Sequence, residues 1–452
     1  MQRENVMNSK NDVEKPACFV SSATVKIICI GVLVLVLLIP ATMISSLMRE
    51  RKSRRDSVVR EISSKWGGDQ IIVGPFFSVP FKSFYHDEDD NLKYRIEYFH
   101  ILPESLKISG KMHPHIRYRS IYEAVLYNAQ VNLSGNFTSP SMNQISIEPD
   151  NILWDKAMFC VGISDMSGIR ENIQITYNKK EYGVNPGLKT SDIAAAGFSC
   201  PIPLNSETKS GDFSFQMNFN GSNQLHFTPV GEKTSVEIES TWPSPSFNGV
   251  FLPETREISK DGFSASWKVL HLNRNFPQIW RGKRYYVDRS SFGLNLLLTA
   301  DVYQKSMRIF KYAIMFIVFT FAAFFLAEIT TRRKVHPIQY LLIGMAVVLF
   351  YLLLLSISEH INFDFAYILS AAAITLLITG YTKAIMRNGF FTLTVMGILV
   401  ILYSYLYIIL QLEDYALIMG STGALIVLSA IMYITRKIDW YTMEWTRDKN
   451  VE

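Results

Sequence analysis

Residues 338–357 read IQYLLIGMAVVLFYLLLLSI and contain no charged side chain. A helix of this length rises about 30 Å at 1.5 Å per residue, which matches the hydrocarbon core of a bilayer. Four similar apolar runs lie around it in the last third of the chain, so this region predicts a compact bundle of five spanning helices. The predicted spans are Ile309–Leu326, Ile338–Ile357, Phe365–Tyr381, Phe390–Leu410 and Tyr415–Ile434.

A sixth apolar run lies near the other end of the chain. Residues 27–47 read IICIGVLVLVLLIPATMISSL, which is longer than the apolar region of a signal peptide, about 7–15 residues. We interpret residues 25–48 as an uncleaved membrane anchor in which Pro40 kinks the helix without ending it. The composition agrees with a membrane protein, because only 19% of the residues are charged, against about a quarter in soluble proteins.

Residues 49–306, between the two apolar regions, contain no predicted span. They begin with a helical pattern that Gly67-Gly68 ends, and apolar and polar residues then alternate as they do in half-buried strands. The alternating runs 213–219 and 225–227 flank Asn220-Gly221, which predicts a hairpin with a tight turn at these two residues. We therefore predict a large β-rich, sandwich-like domain between the first and second spans.

The charges of the loops predict the orientation. Lys and Arg concentrate in cytoplasmic loops, so the basic side of the bundle should face the cytoplasm and place both tails, residues 1–24 and 436–452, inside. The β-rich domain then lies outside, although the basic run from Arg49 to Arg55 taken alone favours the reverse orientation. The basic loops carry Arg332, Arg333, Lys334, Lys383, Arg387, Arg436 and Lys437, whereas the opposite loops carry Glu359, Asp364, Glu413 and Asp414.

The sequence lacks the common motifs of catalytic and cofactor sites. It has no phosphate-binding P-loop, no dinucleotide fingerprint, no H-E-x-x-H zinc motif and no G-x-S-x-G nucleophile motif. The last four predicted spans have charges only at their ends, which argues against transport coupled to ions or protons. We predict no catalytic residue, no cofactor and no metal, and the net charge of +5 is too small to indicate nucleic acid binding.

Polar residues at the two ends of the third predicted span are candidates for function. Pro337 suits the first position of a helix, where its missing N–H costs nothing. Glu359 and His360 at the other end are interpretable as a general acid–base pair, as a pH-sensitive contact to the β-rich domain, or as interfacial anchors. The candidates at these two ends are His336, Pro337, Gln339, Tyr340, Glu359 and His360.

The predicted external domain contains Cys160 and Cys200. A disulfide between them is possible in an oxidising compartment, and their separation in sequence leaves their distance in space open.

Several blocks of the sequence resemble the CreD family of bacterial inner membrane proteins. They are EISSKWGGDQIIVGPFFSVPF (61–81), STWPSPSFNGVFLPETREISKDGFSASWKVLHLNRNFPQ (240–278), KYAIMFIVFTFAAFFLAEI (311–329) and VHPIQYLLIGMAVVLFYLLLLSISEHINFDFAY (335–367). The resemblance implies a multi-pass inner membrane protein linked to envelope integrity, tolerance of E-type colicins and the response to β-lactams. The resemblance implies no catalytic residues. It does add Gln70, Gly74 and Pro75 of the first block to the candidate functional residues.

The main hypothesis is a non-enzymatic protein whose external domain senses or binds an envelope protein or a cell-wall component. One alternative is an enzyme at the membrane interface that uses Glu359 and His360 on lipid-linked envelope material. Another is passage of a neutral or hydrophobic substrate through the helix bundle.

Overall fold

The computed structural model describes residues 22–139, 145–205, 209–297, 302–331, 335–386, 388–412 and 415–436. The chain divides into a helical unit, Met1–Lys52 with Asp301–Glu452, and a β unit, Ser53–Ala300. Most of the two predicted tails lies outside the described residues, as do Arg332–Lys334, Arg387, Glu413, Asp414 and Lys437 of the predicted loops. The domain boundaries and the orientation therefore stay predictions.

Within the described residues, five helices are long and apolar enough to cross a membrane, namely α1 and α4 to α7. A sixth span exists only if α2 and α3, which are bent by 47° relative to each other, act as one. The helices are α1 (Ser22–Trp66), α2 (Val302–Phe310), α3 (Ala313–Thr331), α4 (Pro337–Ser358), α5 (Phe363–Met386), α6 (Gly389–Gln411) and α7 (Ala416–Thr435).

Two helix boundaries differ from the sequence prediction. The predicted anchor and the helical pattern after it form the single helix α1, which contains Pro40 and ends at Trp66, directly before Gly67-Gly68 as predicted. The predicted span Ile309–Leu326 is interrupted, because the Tyr312 N–H donates to the carbonyl of Ile309, three residues back, at 3.0 Å. This tighter turn separates α2 from α3.

The described part of the β unit forms a nine-stranded sheet and an eight-stranded sheet. The first sheet has the order β13-β17-β11-β1-β5-β9-β8, with β2 beside β1 and β16 beside β2, and the second has the order β14-β15-β12-β3-β4-β10-β6-β7. The strands are β1 (Gln70–His86), β2 (Leu92–Ile101), β3 (Ser105–Arg119), β4 (Tyr122–Phe137), β5 (Met158–Ile163), β6 (Gln174–Tyr177), β7 (Lys180–Gly183), β8 (Asn185–Pro186), β9 (Gly197–Pro201), β10 (Gly211–Ser222), β11 (Gln224–Thr228), β12 (Lys233–Ser240), β13 (Pro245–Gly249), β14 (Thr255–Ser259), β15 (Gly262–Leu270), β16 (Ile279–Arg281) and β17 (Phe292–Leu296).

Aromatic side chains from both sheets share one core. The ring of Phe77 in β1 lies 4.7 Å from that of Phe137 in β4, and Phe159 in β5 lies 5.8 Å from Phe213 in β10. These rings are buried and meet edge to face, an arrangement that aromatic pairs favour. The prediction of a β-rich domain between helical regions is confirmed, and its two sheets pack across a common core.

The predicted hairpin turn at Asn220-Gly221 is wrong. Both residues lie inside β10 and pair with Asn128 and Tyr127 of β4. Glycine is needed at position 221 because a Cβ there would collide with the Tyr127 ring. The chain leaves β10 at Asn223, whose φ is +54°, and β11 then joins the other sheet.

Candidate functional site

Gln70, the first residue of β1, has a fully buried side chain. Its amide Nε2 donates to the carbonyls of Asp165 at 3.0 Å and of Asn220 at 3.1 Å, and its Oε1 accepts from the Asp165 N–H at 3.3 Å. The amide thus satisfies backbone groups of two other segments of the β unit. Gln70 therefore has a structural role, because its amide oxygen and nitrogen are both used in hydrogen bonds within the β unit.

Gly74 and Pro75 lie where the pairing register of β1 with β5 shifts, between Val73 and Phe76. Gly74 has a φ of +121°, and a Cβ at this position would approach the Cys160 carbonyl oxygen to 3.2 Å. Only glycine adopts this conformation without strain. Both residues are buried, so they shape the strand rather than present groups to a ligand.

Cys160 and Cys200 are free thiols, so the disulfide considered from the sequence is not formed. Cys160 pairs with Ser199, and Cys200 pairs with Phe159, in the neighbouring strands β5 and β9. Paired residues share a face and successive residues alternate, so the two thiols point to opposite faces of the sheet.

We expect both thiols to resist alkylation in the folded protein, because burial raises the pKa of each to about 12 and the thiolate is the reactive form. The measurement is maleimide labelling of a Cys18→Ser/Cys29→Ser variant, analysed by mass spectrometry before and after denaturation. Two labels should appear only after denaturation. A denatured protein that takes up labels only once a reductant is added contains the disulfide and contradicts the structure.

A serine, a histidine and an aspartate meet on the first sheet of the β unit. Ser78 Oγ lies 3.0 Å from Nδ1 of His100, which is opposite it in β2, and His100 Nε2 lies 3.1 Å from Asp192 Oδ2. In serine hydrolases the serine faces Nε2 and the carboxylate faces Nδ1, which is the reverse of this arrangement. Ser78 is 1% exposed and His100 is fully buried, so the three residues form an internal link rather than an accessible nucleophile.

We expect this link to make the stability of the β unit depend on pH in the acidic range. The hydrogen bond from His100 lowers the pKa of Asp192, so its contribution is present above the unfolded pKa of about 3.9 and is lost as pH falls through the lower folded value. Asp192→Asn should lower the unfolding temperature at pH 7, and the difference from wild type should shrink towards pH 3. A matched control is Asp212→Asn, and a difference that is the same at both pH values contradicts the link.

The helical unit contains a buried ion pair between Lys26 of α1 and Glu328 of α3. The Glu328 carboxylate also accepts from the Tyr340 hydroxyl and from the Val335 N–H, each at 3.0 Å, and its side chain is fully buried. The Lys26 amine in turn donates to the Val335 carbonyl at 3.0 Å. We call these four residues the Glu328 cluster.

The predicted motif at the start of α4 borders this cluster. His336 is the N-cap, and its Nδ1 accepts from the Ile338 N–H at 3.3 Å, while the side chain of Gln339 accepts from the His336 N–H at 2.9 Å. This reciprocal capping and Pro337 at the first position fix where α4 begins. The motif thereby places Tyr340 one turn into the helix, within reach of Glu328.

The other end of α4 carries a weaker polar contact. Glu359 accepts from the Tyr303 hydroxyl of α2 at 3.0 Å and lies 3.9 Å from the Arg51 guanidinium of α1. His360 is exposed, and no hydrogen bond between it and Glu359 is present among the described residues. The structure therefore does not join these two side chains as an acid–base pair.

The two ion pairs hold α1 at positions 26 and 51. At 1.5 Å per residue these positions are about 37 Å apart along the helix, slightly more than the hydrocarbon thickness of about 30 Å. The free energy needed to place a charged group in a bilayer is smallest at the edges of the hydrocarbon core. The pairs therefore suit the two borders of the apolar segment of α1, and they join it to α3 and to the end of α4.

Four residues of these polar contacts were not predicted from the sequence, namely Lys26, Arg51, Tyr303 and Glu328. Lys26 and Glu328 are 302 positions apart, and each stands at the end of an apolar run, where charges are ordinary. Their opposite charges on the same predicted side of the membrane were the available signal. Within the described residues, no group of three or more His, Cys, Asp or Glu side chains is arranged to hold a metal ion.

The end of the β1–β2 hairpin exposes large apolar side chains. Phe84, Leu92, Tyr94 and Ile96 are between 44% and 63% exposed. The pairs Phe84–Tyr94 and Lys82–Ile96 oppose each other in the register and so share one face. We call this face of residues 82–96 the hairpin face.

The chain is similar to known proteins over most of its length. The family model described as inner membrane protein CreD matches residues 22–441. A protein of Escherichia coli (strain K12) named inner membrane protein CreD is 30% identical over 427 residues, which cover 92% of this chain and 93% of that protein.

Proposed function

Because the chain belongs to the CreD family of inner membrane proteins, we propose that it supports envelope integrity without catalysis, by binding an envelope protein through the hairpin face. In this proposal both termini are cytoplasmic and the β unit lies in the periplasm, as the loop charges favour. The binding contributes to the response of the cell to envelope stress, including that caused by β-lactams.

The exposed apolar residues of the hairpin face are the observation that carries this proposal. Solitary apolar side chains on a surface need no explanation, but a contiguous group on a projecting element is typical of an interaction site. Hydrogen bonds also close the turn of the hairpin, where the Asp87 carboxylate accepts from the N–H groups of Asp89 and Asn91 at 3.1 and 2.8 Å. An ordered face loses little conformational entropy on binding.

The backbone of β2 favours a partner in extended conformation. Residues 92–101 of β2 pair with β1 on one side, whereas on the other side the described contacts are the pairing with β16 at Phe99–Ile101 and a hydrogen bond from the Gly282 N–H to the Tyr98 carbonyl. The remaining edge offers N–H and C=O groups for the addition of a strand. The adjacent turn carries exposed Glu88, Asp89 and Asp90, which favours a basic segment in the partner.

We expect a photo-reactive amino acid at position 94 of the full chain to form a covalent adduct with a specific protein in living cells. The same amino acid at position 272 is the control, because Leu272 is 81% exposed but lies away from the hairpin. Only position 94 should give the protein adduct. Adducts with cell-wall material alone, or equal adducts from both positions, contradict the proposal.

The same face is expected to matter for envelope integrity. In a strain that lacks the protein, a Tyr94→Ser/Ile96→Ser variant should fail to restore resistance to envelope leakage, whereas Leu272→Ser should restore it. The side chains of Tyr94 and Ile96 are 55% and 44% exposed, so we expect both variants to reach wild-type levels in the membrane. Full restoration by the double variant rules out the hairpin face.

A further inference from the structure

An apolar groove of about 330 Å³ lies on the helical unit between α1, α3 and α7. Ile27 and Val34 of α1, Val318 and Leu326 of α3, and Ile431 and Thr435 of α7 contribute to its lining. Every lining residue is apolar except Thr435, whose hydroxyl donates to the Ile431 carbonyl at 2.7 Å and so needs no partner in the groove. Ile27 and Val318 are 48% and 41% exposed, which shows that the groove is open on one side.

The dimensions of the groove fit one hydrocarbon chain. Ile27 and Val34 are separated by about 10 Å along α1, and Val318 and Leu326 by about 12 Å along α3, at 1.5 Å per residue. One leaflet of a bilayer contributes about half of the 30 Å hydrocarbon core, so the groove follows most of an acyl chain. A helix about 10–12 Å in diameter does not enter so small a volume.

The charged residues lie at one end of the groove. Lys26 precedes Ile27, and Arg436 follows Thr435, so both stand at the end where the Glu328 cluster lies. Glu328 balances the charge of Lys26, whereas Arg436 is exposed and stacks its guanidinium 4.0 Å from the centre of the Tyr433 ring. A guanidinium binds phosphate oxygens in a bidentate manner, and its stacking on an aromatic ring holds it in place.

We propose that this groove is a binding site for an anionic phospholipid, with one acyl chain between α1, α3 and α7 and the headgroup phosphate at Arg436. The apolar lining supplies affinity for the chain because no polar group there needs water or a hydrogen-bond partner. Arg436 supplies the preference for an anionic headgroup, because no carboxylate among the described residues pairs with its guanidinium. The inference is independent of the partner of the hairpin face.

The test is native mass spectrometry of the full chain in detergent with added dioleoyl phosphatidylglycerol or dioleoyl phosphatidylcholine. Wild type should retain one phosphatidylglycerol in preference to phosphatidylcholine. Ala322→Phe fills the groove and should abolish this retention. Ala372→Phe is the matched control, because Ala372 is an exposed residue of α5 outside the groove, and it should bind as wild type does.

The Arg436→Gln variant tests the headgroup contact separately from the acyl-chain contact, because it leaves the lining of the groove unchanged. It should lower the preference for phosphatidylglycerol by about fivefold, which corresponds to the roughly 1 kcal/mol contributed by one basic residue near an anionic headgroup. Retention of phosphatidylglycerol by Ala322→Phe overturns the site. An unchanged lipid preference in Arg436→Gln, or equal binding of the two lipids by wild type, overturns the assigned headgroup even if Ala322→Phe fails to fold.

Discussion

Glu328→Ala is expected to destabilise the helical unit by about 3–5 kcal/mol, the usual effect of removing one partner from a buried ion pair. The Lys26 side chain is only 17% exposed, so its ammonium group would stay largely desolvated after losing the carboxylate of Glu328. The Tyr340 hydroxyl and the Val335 N–H would lose their acceptor at the same time. Thermal unfolding of the full chain in detergent measures the loss.

Two further variants separate the pair from its individual charges. Lys26→Met/Glu328→Leu removes both charges, and we expect it to be less destabilising than Glu328→Ala, because well-packed apolar residues often replace a buried ion pair at little cost. Glu359→Ala is the matched control, since its pair with Arg51 is longer, at 3.9 Å, and Arg51 is 41% exposed. The Glu359→Ala variant should lose about 1 kcal/mol of unfolding free energy.

Variants at the same position distinguish a carboxylate that only stabilises the fold from one that takes part in proton transfer. A carboxylate that carries protons would leave Glu328→Gln well folded but inactive in cells. The geometry of the Glu328 cluster predicts partial destabilisation instead, because glutamine keeps an oxygen acceptor but loses the charge that balances Lys26. A stable Glu328→Gln protein, or a smaller loss in Glu328→Ala than in Glu359→Ala, contradicts the structural role.

Gln70→Leu is expected to destabilise the β unit by about 3 kcal/mol or more. Leucine has a similar volume but leaves the carbonyls of Asp165 and Asn220 and the N–H of Asp165 without their partner. Each buried polar group left unsatisfied costs about 1–3 kcal/mol. The unfolding temperature of the full chain should therefore fall by several degrees.

Gln216→Leu is the control for this substitution. Gln216 is an exposed residue of β10 whose amide donates to the Asn218 side chain at 3.3 Å, so Gln216→Leu should lower the free energy of unfolding by less than about 0.5 kcal/mol. A Gln70→Leu protein with an unchanged unfolding temperature that fails to restore envelope integrity would make Gln70 a binding residue.

Features that depend on neighbours in sequence could be predicted. The start of α4 at Pro337 follows from the fixed φ of proline and from a capping side chain one residue before it. The end of α1 before Gly67 and the burial of alternate residues in β12 also depend on local preferences.

Local signals failed where a distant residue decides the conformation. Asn220-Gly221 usually favours a tight turn, but the Tyr127 ring occupies the space of the missing side chain and keeps the pair inside a strand. Tyr94 and Ile96 alternate with polar residues as in a half-buried strand and do lie in β2, yet both side chains are exposed. Periodicity shows which residues share a face, and it does not show whether another element covers that face.

Most of the apolar helices follow from the sequence, because the transfer of an apolar segment into lipid depends on its length and composition, and the β-rich region follows from the alternation of apolar and polar residues. Which charges meet depends on how the helices pack. Lys26 and Glu328 contact each other because three helices pack together, and the energy of a pair of charges depends on their distance and burial rather than on their positions in the chain.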